Sequence, residues 1–366
     1  MTNYTIAFWE ANQSTLDAGP NFNIDDTGAN IQAALNALNG DSHITQIIIS
    51  DNASVVLNVA KISSDATALS KLINQNGTAA HLTVRDTAAH IGNGFATIGT
   101  SSQVTSVVIS DNAVVTLTAS QVENNQNVLG ELVNANASPV NVTLKDTAAH
   151  IQTDGTLDIV EANLSTITSV VVSNSAVMTL TASQIANDAG ALAIITNNNS
   201  GAVTFKVADT GANIGAHLDA LQANAQITTI TDTDNSAINL NIAQFTSDAG
   251  ALAKIVDADA SPVSFHVSDT AANISSAFNS LNSNASVTKI TVTDSATNEV
   301  TITAAQAGSD TAALGELVQA DGTTPAKVAV SDTAANVSSA LDALNSNTHV
   351  DKIVISPSGA LTLTAG

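Results

Sequence analysis

One tract, Asp-Thr-(Ala/Gly)-Ala-(Asn/His), occurs six times, starting at Asp26, Asp86, Asp146, Asp209, Asp269 and Asp332, so successive copies lie 60, 60, 63, 60 and 63 residues apart. A fixed period of this length marks a repeat architecture, because one unit cannot bury its apolar face alone and must stack on its neighbours. The period overrides the two- or three-domain expectation that 366 residues otherwise carry. It divides the chain into an N-terminal cap over residues 1–22, repeats at 23–84, 85–144, 145–207, 208–267 and 268–330, and a partial sixth repeat at 331–366. The sixth copy stops in mid-pattern, as expected of a piece of a longer array.

The fifth repeat displays the pattern within a unit. After Thr270, the residues Ile274, Phe278 and Leu281 fall at i, i+4 and i+7, the buried stripe of a helix. Ile31, Leu35 and Leu38 match them in the first repeat, and Val337, Leu341 and Leu344 in the last. The β-branched run 287–294 predicts a strand, with counterparts starting at Ile44, Val104, Ile167, Ile227 and Val350. A shorter strand such as 115–118 leads into a second helix, where Val122, Leu129 and Leu132 supply the apolar stripe, and a loop returns to a strand such as 263–267. Strands joined by crossover helices pair in parallel. The sequence therefore predicts an α/β repeat solenoid: a continuous parallel sheet with flanking helices and about 60 residues per repeat.

Each repeat is also two similar halves, since Thr270-Ala-Ala-Asn273-Ile274 aligns with Thr118-Ala-Ser-Gln121-Val122. Thr-x-x-(Asn/Gln) predicts a capping box, in which the hydroxyl accepts from an early helical N–H and the amide three residues on reaches back. Thr27, Thr87, Thr147, Thr210 and Thr333 repeat the first-half cap, and Asn58, Thr181, Asn241, Thr303 and Thr364 the second.

Composition narrows the partners. Hydrophobic residues make up 44% of the chain but aromatics only 2%, which suits a thin core repeated along an axis. Thirty-two acidic residues against nine basic ones give a net charge of -23, a surface that repels nucleic acid and anionic membrane. With no cysteine, neither a disulfide framework nor a thiolate metal site can form. Residues 1–13 lack the basic and apolar regions of a secretory signal, and no stretch is long and apolar enough for a membrane span.

The Asp of each tract (Asp26, Asp86, Asp146, Asp209, Asp269 and Asp332) is the first candidate site. Identical stacked carboxylates can bind calcium, which takes oxygen ligands. The competing and stronger reading places each Asp beside a helix N-terminus, where the dipole favours negative charge. Asp51, Asp111, Asp234 and Asp294 form a second column, broken at Asn174 and Pro357. Asp232 and Asp234 make the densest acidic cluster, at a place where other repeats carry Ile49 and Val172; a local cation site and a solvent-facing turn are the two readings. His90 and His150 occupy the slot that Asn fills elsewhere, which points to capping rather than metal. No nucleophile elbow, P-loop, dinucleotide fingerprint, EF-hand or glycine-rich nonapeptide occurs, so an enzyme is not expected.

The tracts Asp-Thr-Ala-Ala-Asn-Ile, Ile-Thr-x-Ile-x-Ile-Ser-Asp and Leu-Thr-x-x-Gln resemble the long repeat regions of very large, acidic, cysteine-free bacterial proteins, over roughly residues 22–366. Those proteins are adhesins, surface-layer components or RTX-like secreted proteins. The resemblance implies an extracellular or cell-surface location, type I export and no catalysis within the repeats. It makes a structural or adhesive stalk, fibre or lattice subunit the first expectation, with self-association or neighbouring repeats as partners. A calcium- or glycan-binding module, or the non-catalytic N-terminal region of a larger secreted hydrolase, is the alternative.

Overall fold

A computed structural model describes residues 1–294 and 298–362. The fold is α/β and repetitive, and among the described residues its strands pair with one another in parallel, with isolated antiparallel bridges such as Ile73 to Ala79. The chain forms two compact units, residues 1–176 with 188–203, and residues 177–187 with 204–366. No described helix is long and apolar enough to cross a membrane.

In the first unit, one sheet runs in the order Asn3–Tyr4, Phe22–Asp26, Ile44–Ile49 and Leu72–Asn74. A second runs Val55–Leu57, Leu82–Asp86, Val104–Ile109 and Leu132–Asn134. A third joins Val115–Leu117, Val142–Asp146, Ile167–Val172 and Ile195–Asn197. The second unit repeats the plan. Its first sheet holds Met178–Leu180, Phe205–Asp209, Ile227–Asp232 and Ile255–Asp257. Its next holds Ile238–Leu240, Phe265–Asp269, Val287–Val292 and Leu317–Val318. Its last holds Val300–Ile302, Val328–Asp332 and Val350–Ile355.

Parallel pairing is thus as expected, but it is distributed over separate sheets rather than one continuous sheet. Within the first unit the chain leaves the Ile44–Ile49 strand, starts the next sheet with Val55–Leu57, then returns through a helix pair to close the earlier sheet with Leu72–Asn74. The cause lies in the turns. Asn52, Asn112, Ser175 and Asn235 follow the third strand with φ of 50–54°, and a left-handed residue there swings the chain out of the ladder it has just made. A register shift at the start of each second strand, as between Phe22 and Asn23, recurs in all six sheets.

The first-half helix is continuous in the first and fifth repeats, where Gly28–Gly40 buries Ile31, Leu35 and Leu38 and Ala271–Ser283 buries Ile274, Phe278 and Leu281, but it is split in the second, third and fourth, as into Ala88–Asn93 and Phe95–Gly99. The second-half helix is two short helices. Ala119–Asn124 and Gln126–Gly130 meet at Asn125, and Leu132 falls on the short strand that follows rather than on a helix, buried all the same. Close packing of helix on strand is tightest at Gly215, where an added Cβ would stand 2.6 Å from the carbonyl oxygen of Asn239. Gly215→Ala is expected to cost about 1–3 kcal/mol in urea unfolding, because the neighbour is backbone and cannot swing aside.

Residues 1–22 take the place of a half-repeat. Asn3–Tyr4 pairs with Phe22–Asp26, and Thr5 caps the helix Ile6–Leu16 by accepting from Phe8 N–H. Trp9 on that helix is 1% exposed, and Tyr4 stacks on Phe8 at 4.8 Å.

The caps follow the sequence with two differences, at Thr147 and in the first-half boxes. Thr27, Thr87, Thr210, Thr270 and Thr333 each accept from the N–H three residues on, whereas Thr147 makes no such bond. Full capping boxes form in the second halves, at Thr118–Gln121, Asn241–Gln244 and Thr303–Gln306. In the first halves the amide bonds to the preceding Asp instead, because that Asp already holds the Thr N–H. Thr364 lies outside the described residues.

Candidate functional site

Each tract Asp ends the second strand of its own sheet, one carboxylate per sheet, and each accepts the same three hydrogen bonds. At Asp26, Oδ1 accepts from Thr27 N–H at 2.8 Å and Asn30 Nδ2 at 2.7 Å, while Oδ2 accepts from Ile6 N–H at 2.9 Å. Asp209, Asp269 and Asp332 repeat this with Asn213, Asn273 and Asn336, and their Oδ2 atoms hold the N–H groups of Ala182, Ile242 and Ala304. Asp86 and Asp146 repeat it with His90 and His150, whose Nδ1 atoms lie at 2.7 Å, and hold Val59 and Ala119. The distant partner is always the first residue of the preceding half-repeat's helix. The carboxylate is therefore a clip that joins its strand to a neighbouring helix N-terminus, a place that favours negative charge.

The electrostatics agree. Burial pushes the Asp86 carboxyl up, but the hydrogen bonds from His90, Thr87 and Val59 outweigh it and hold the group below its ordinary value. The same balance lowers Asp26, Asp146 and Asp269. At Asp332 the bond from Asn336 leads and the result is again a lowered value.

The second column has the complementary job. Asp51, Asp111, Asp234 and Asp294 accept through Oδ1 from Gly28, Ala88, Gly211 and Ala271 N–H at 2.9–3.1 Å, the first residues of the first-half helices. Asn174 does the same for Ala148 at 3.1 Å, which explains why the column tolerates an amide: the duty needs one acceptor oxygen. Asp234, held by Gly211 N–H and then by Asp232 and Ser236, is lowered to about 2.

Asp232 differs. It is 0% exposed, whereas a solvent-facing turn would leave it open. Burial, followed by the facing Asp234 and Asp257 carboxyls, pushes it up to about 6.

Two acidic groupings escaped the sequence pattern. Asp65, Asp188, Asp248 and Asp310, with Asn125, sit buried at the break between the two short helices of each second half. Asp65 is paired with Lys61 at 2.9 Å. Burial, then Asp158 and Glu161, pushes Asp188 up to about 6, and burial with the Asp219 carboxyl raises Asp248. Their spacing of about one repeat was the available signal, but alignment on the Asp-Thr tract left them inside a presumed continuous helix.

The other grouping is Asp17, Asp41 and His43, whose ligand atoms lie within 4.8 Å of one another. His43 Nδ1 stands 3.7 Å from an oxygen of each carboxylate. Asp41 is already engaged, accepting from Trp9 Nε1 at 2.8 Å and from His43 N–H at 2.8 Å. Sequence spacing could not bring in Asp17, which comes from the divergent residues 1–22.

This triad lines one member of a repeated series of shallow recesses of 310–630 Å³. The others are bordered by Ile62 with Gln103, Phe245 with Ser286, and Ala307 with His349. Their walls are largely serine, threonine, asparagine and alanine, with His349 in the last. No protein-family model, curated protein or solved structure matches the chain.

Proposed function

We propose that the chain is a non-catalytic structural or adhesive repeat protein of the bacterial cell surface or extracellular matrix, working as a rigid stalk, fibre or lattice subunit. The observation that carries this reading is repetition of use: the carboxylates of both columns serve as helix clips, sheet after sheet. Acidic groups spent on identical joints favour a stiff scaffold. Recesses of one kind along the chain favour many weak contacts over a single deep pocket. The resemblance of the tracts to surface and secreted repeat regions supports the location.

Contact with a neighbouring repeat of a longer array, or with a second copy, is assigned to the Val350–Ile355 strand, the third of its sheet, which in the other five sheets is followed by a fourth. It pairs only with Val328–Asp332 among the described residues, and Ile353 on it is 40% exposed where Ile290 is 0%. An open strand edge with apolar side chains is a template for strand addition. Light-scattering mass, measured in chelator and then across a calcium series, is expected to exceed the monomer and rise with concentration. Ile353→Lys is expected to return it to the monomer. A wild-type chain that stays monomeric at high concentration in every condition would overturn the reading.

A further inference from the structure

The turn after the first-half helix is built alike in several repeats. Asn224, Asn284 and Asn347 accept through Oδ1 from the N–H two residues on at 2.9 Å, and Asp41 accepts from His43 N–H at 2.8 Å. An amide therefore suffices for the turn, and it leaves the charge of Asp41 unexplained. The slot of His43 holds Gln103, Thr166, Gln226, Ser286 and His349 in the later repeats. Only the first repeat puts a carboxylate and an imidazole in this turn, and the helix Ile6–Leu16 brings a third group to them, its C-cap Asp17.

Asp17 Oδ1 and Asp41 Oδ1 each stand 3.7 Å from His43 Nδ1, and the donor atoms of the three residues lie within 4.8 Å of one another. The gaps from the imidazole are too long for hydrogen bonds. They suit an ion between the groups, because three atoms so spaced share a point about 2.0–2.4 Å from each, close to zinc–oxygen and zinc–nitrogen bond lengths. No other three such side chains converge in this way among the described residues.

The place is open. The three side chains line a recess of 310 Å³ together with Trp9, Gln13 and Gly40, and a Cβ on Gly40 would meet nothing within 4 Å. Asp41 is held from outside the group, since its Oδ2 accepts from Trp9 Nε1 at 2.8 Å. Metal-ligating carboxylates are commonly oriented by a further donor of this kind. Among the described residues, no lysine or arginine pairs with either carboxylate. Lys71 Nζ donates instead to the main-chain oxygen of Asp41 at 3.2 Å.

We infer that Asp17 Oδ1, Asp41 Oδ1 and His43 Nδ1 form a zinc site with a fourth position open to water. Two carboxylates and an imidazole suit zinc, whereas calcium takes oxygen ligands alone. The ion fastens the end of the helix Ile6–Leu16 to the first repeat. The site lies apart from the repeated clips, and it does not depend on the chain's being a stalk or lattice subunit.

The test is titration of zinc chloride into the chelator-stripped full chain near neutral pH. It is followed by the fluorescence of Trp9, the only tryptophan and a direct partner of Asp41, with calorimetry counting the ions. The wild-type chain is expected to give a saturable fluorescence change complete at a single equivalent, and calcium at the same concentrations none. His43→Gln, which installs the residue of the second and fourth repeats, and Asp17→Asn are each expected to abolish the change. His349→Gln, in a turn that carries Asn347 in place of an acid, is expected to keep it. The Asp17 side chain is 53% exposed, so Asp17→Asn decides the question if His43→Gln does not fold. No change in the wild-type chain, a change that calcium reproduces, or one that survives Asp17→Asn would overturn the site and leave His43 and its two carboxylates as an ion pair.

Discussion

Replacing Asp188 by asparagine is expected to stabilise the chain near neutral pH and to change little near pH 4. Asp188 is 2% exposed at a helix break, and its carboxyl is pushed up to about 6 by burial, then by Asp158, Glu161 and Asp154. A folded-state value above the unfolded one means that the folded chain holds a proton the unfolded chain has released. Stability therefore falls as pH rises from about 4 to about 6 and stays lower above that window. The ionised group costs on the order of 2–3 kcal/mol at neutral pH. The sister position shows that an amide fits: Asn125 donates through Nδ2 to Gln121 O at 2.9 Å. Denaturant midpoints across pH should show a slope for the wild-type chain that flattens in the Asp188→Asn variant. A variant less stable than wild type at neutral pH would contradict the argument from burial.

The opposite result is expected at a clip. Asp86→Ala removes the acceptor for Thr87 N–H, His90 and Val59 N–H at once, leaving donors at two helix N-termini unpaired. Each lost bond to a charged acceptor counts, and the sum is about 3 kcal/mol. Amide exchange should accelerate in Val59–Ser64 and Ala88–Asn93, the two helices that the clip joins. Because the Asp86 carboxyl lies below its ordinary value of 3.8, its contribution is complete above that pH and fades as pH falls through the folded value. Exchange that quickens in one helix alone would show that the carboxylate serves only one of its two ends.

Local periodicity carried most of this fold. The stripe Ile274, Phe278, Leu281 and the run ending at Val292 define a helix and a strand with nothing more than spacing, and both lie where spacing puts them. The division into separate sheets was not legible, because it depends on left-handed backbone at Asn52, Asn112, Ser175 and Asn235, and asparagine, three of these four, also serves elsewhere in the chain as a helix cap. Burial was the other blind spot. For Asp232 a solvent-facing turn was one of the two readings, and only the pleat, which turns the end of its strand inward, makes it core. The columns were visible as repeated Asp, and the helix-terminus reading of them needed the structure to name which N–H each one holds.

Every strand pairing described above joins residues 20 to 28 positions apart. Each strand joins the one that precedes it in its sheet, as Val55–Leu57, Leu82–Asp86, Val104–Ile109 and Leu132–Asn134 do in turn, and no rung waits for a distant part of the chain. During synthesis, ordering can follow the emerging polypeptide at a constant short delay, whatever the total number of repeats. The search that slows large β-rich proteins does not lengthen with the array, so copies of the unit can be gained or lost in whole periods without making the protein slower to fold.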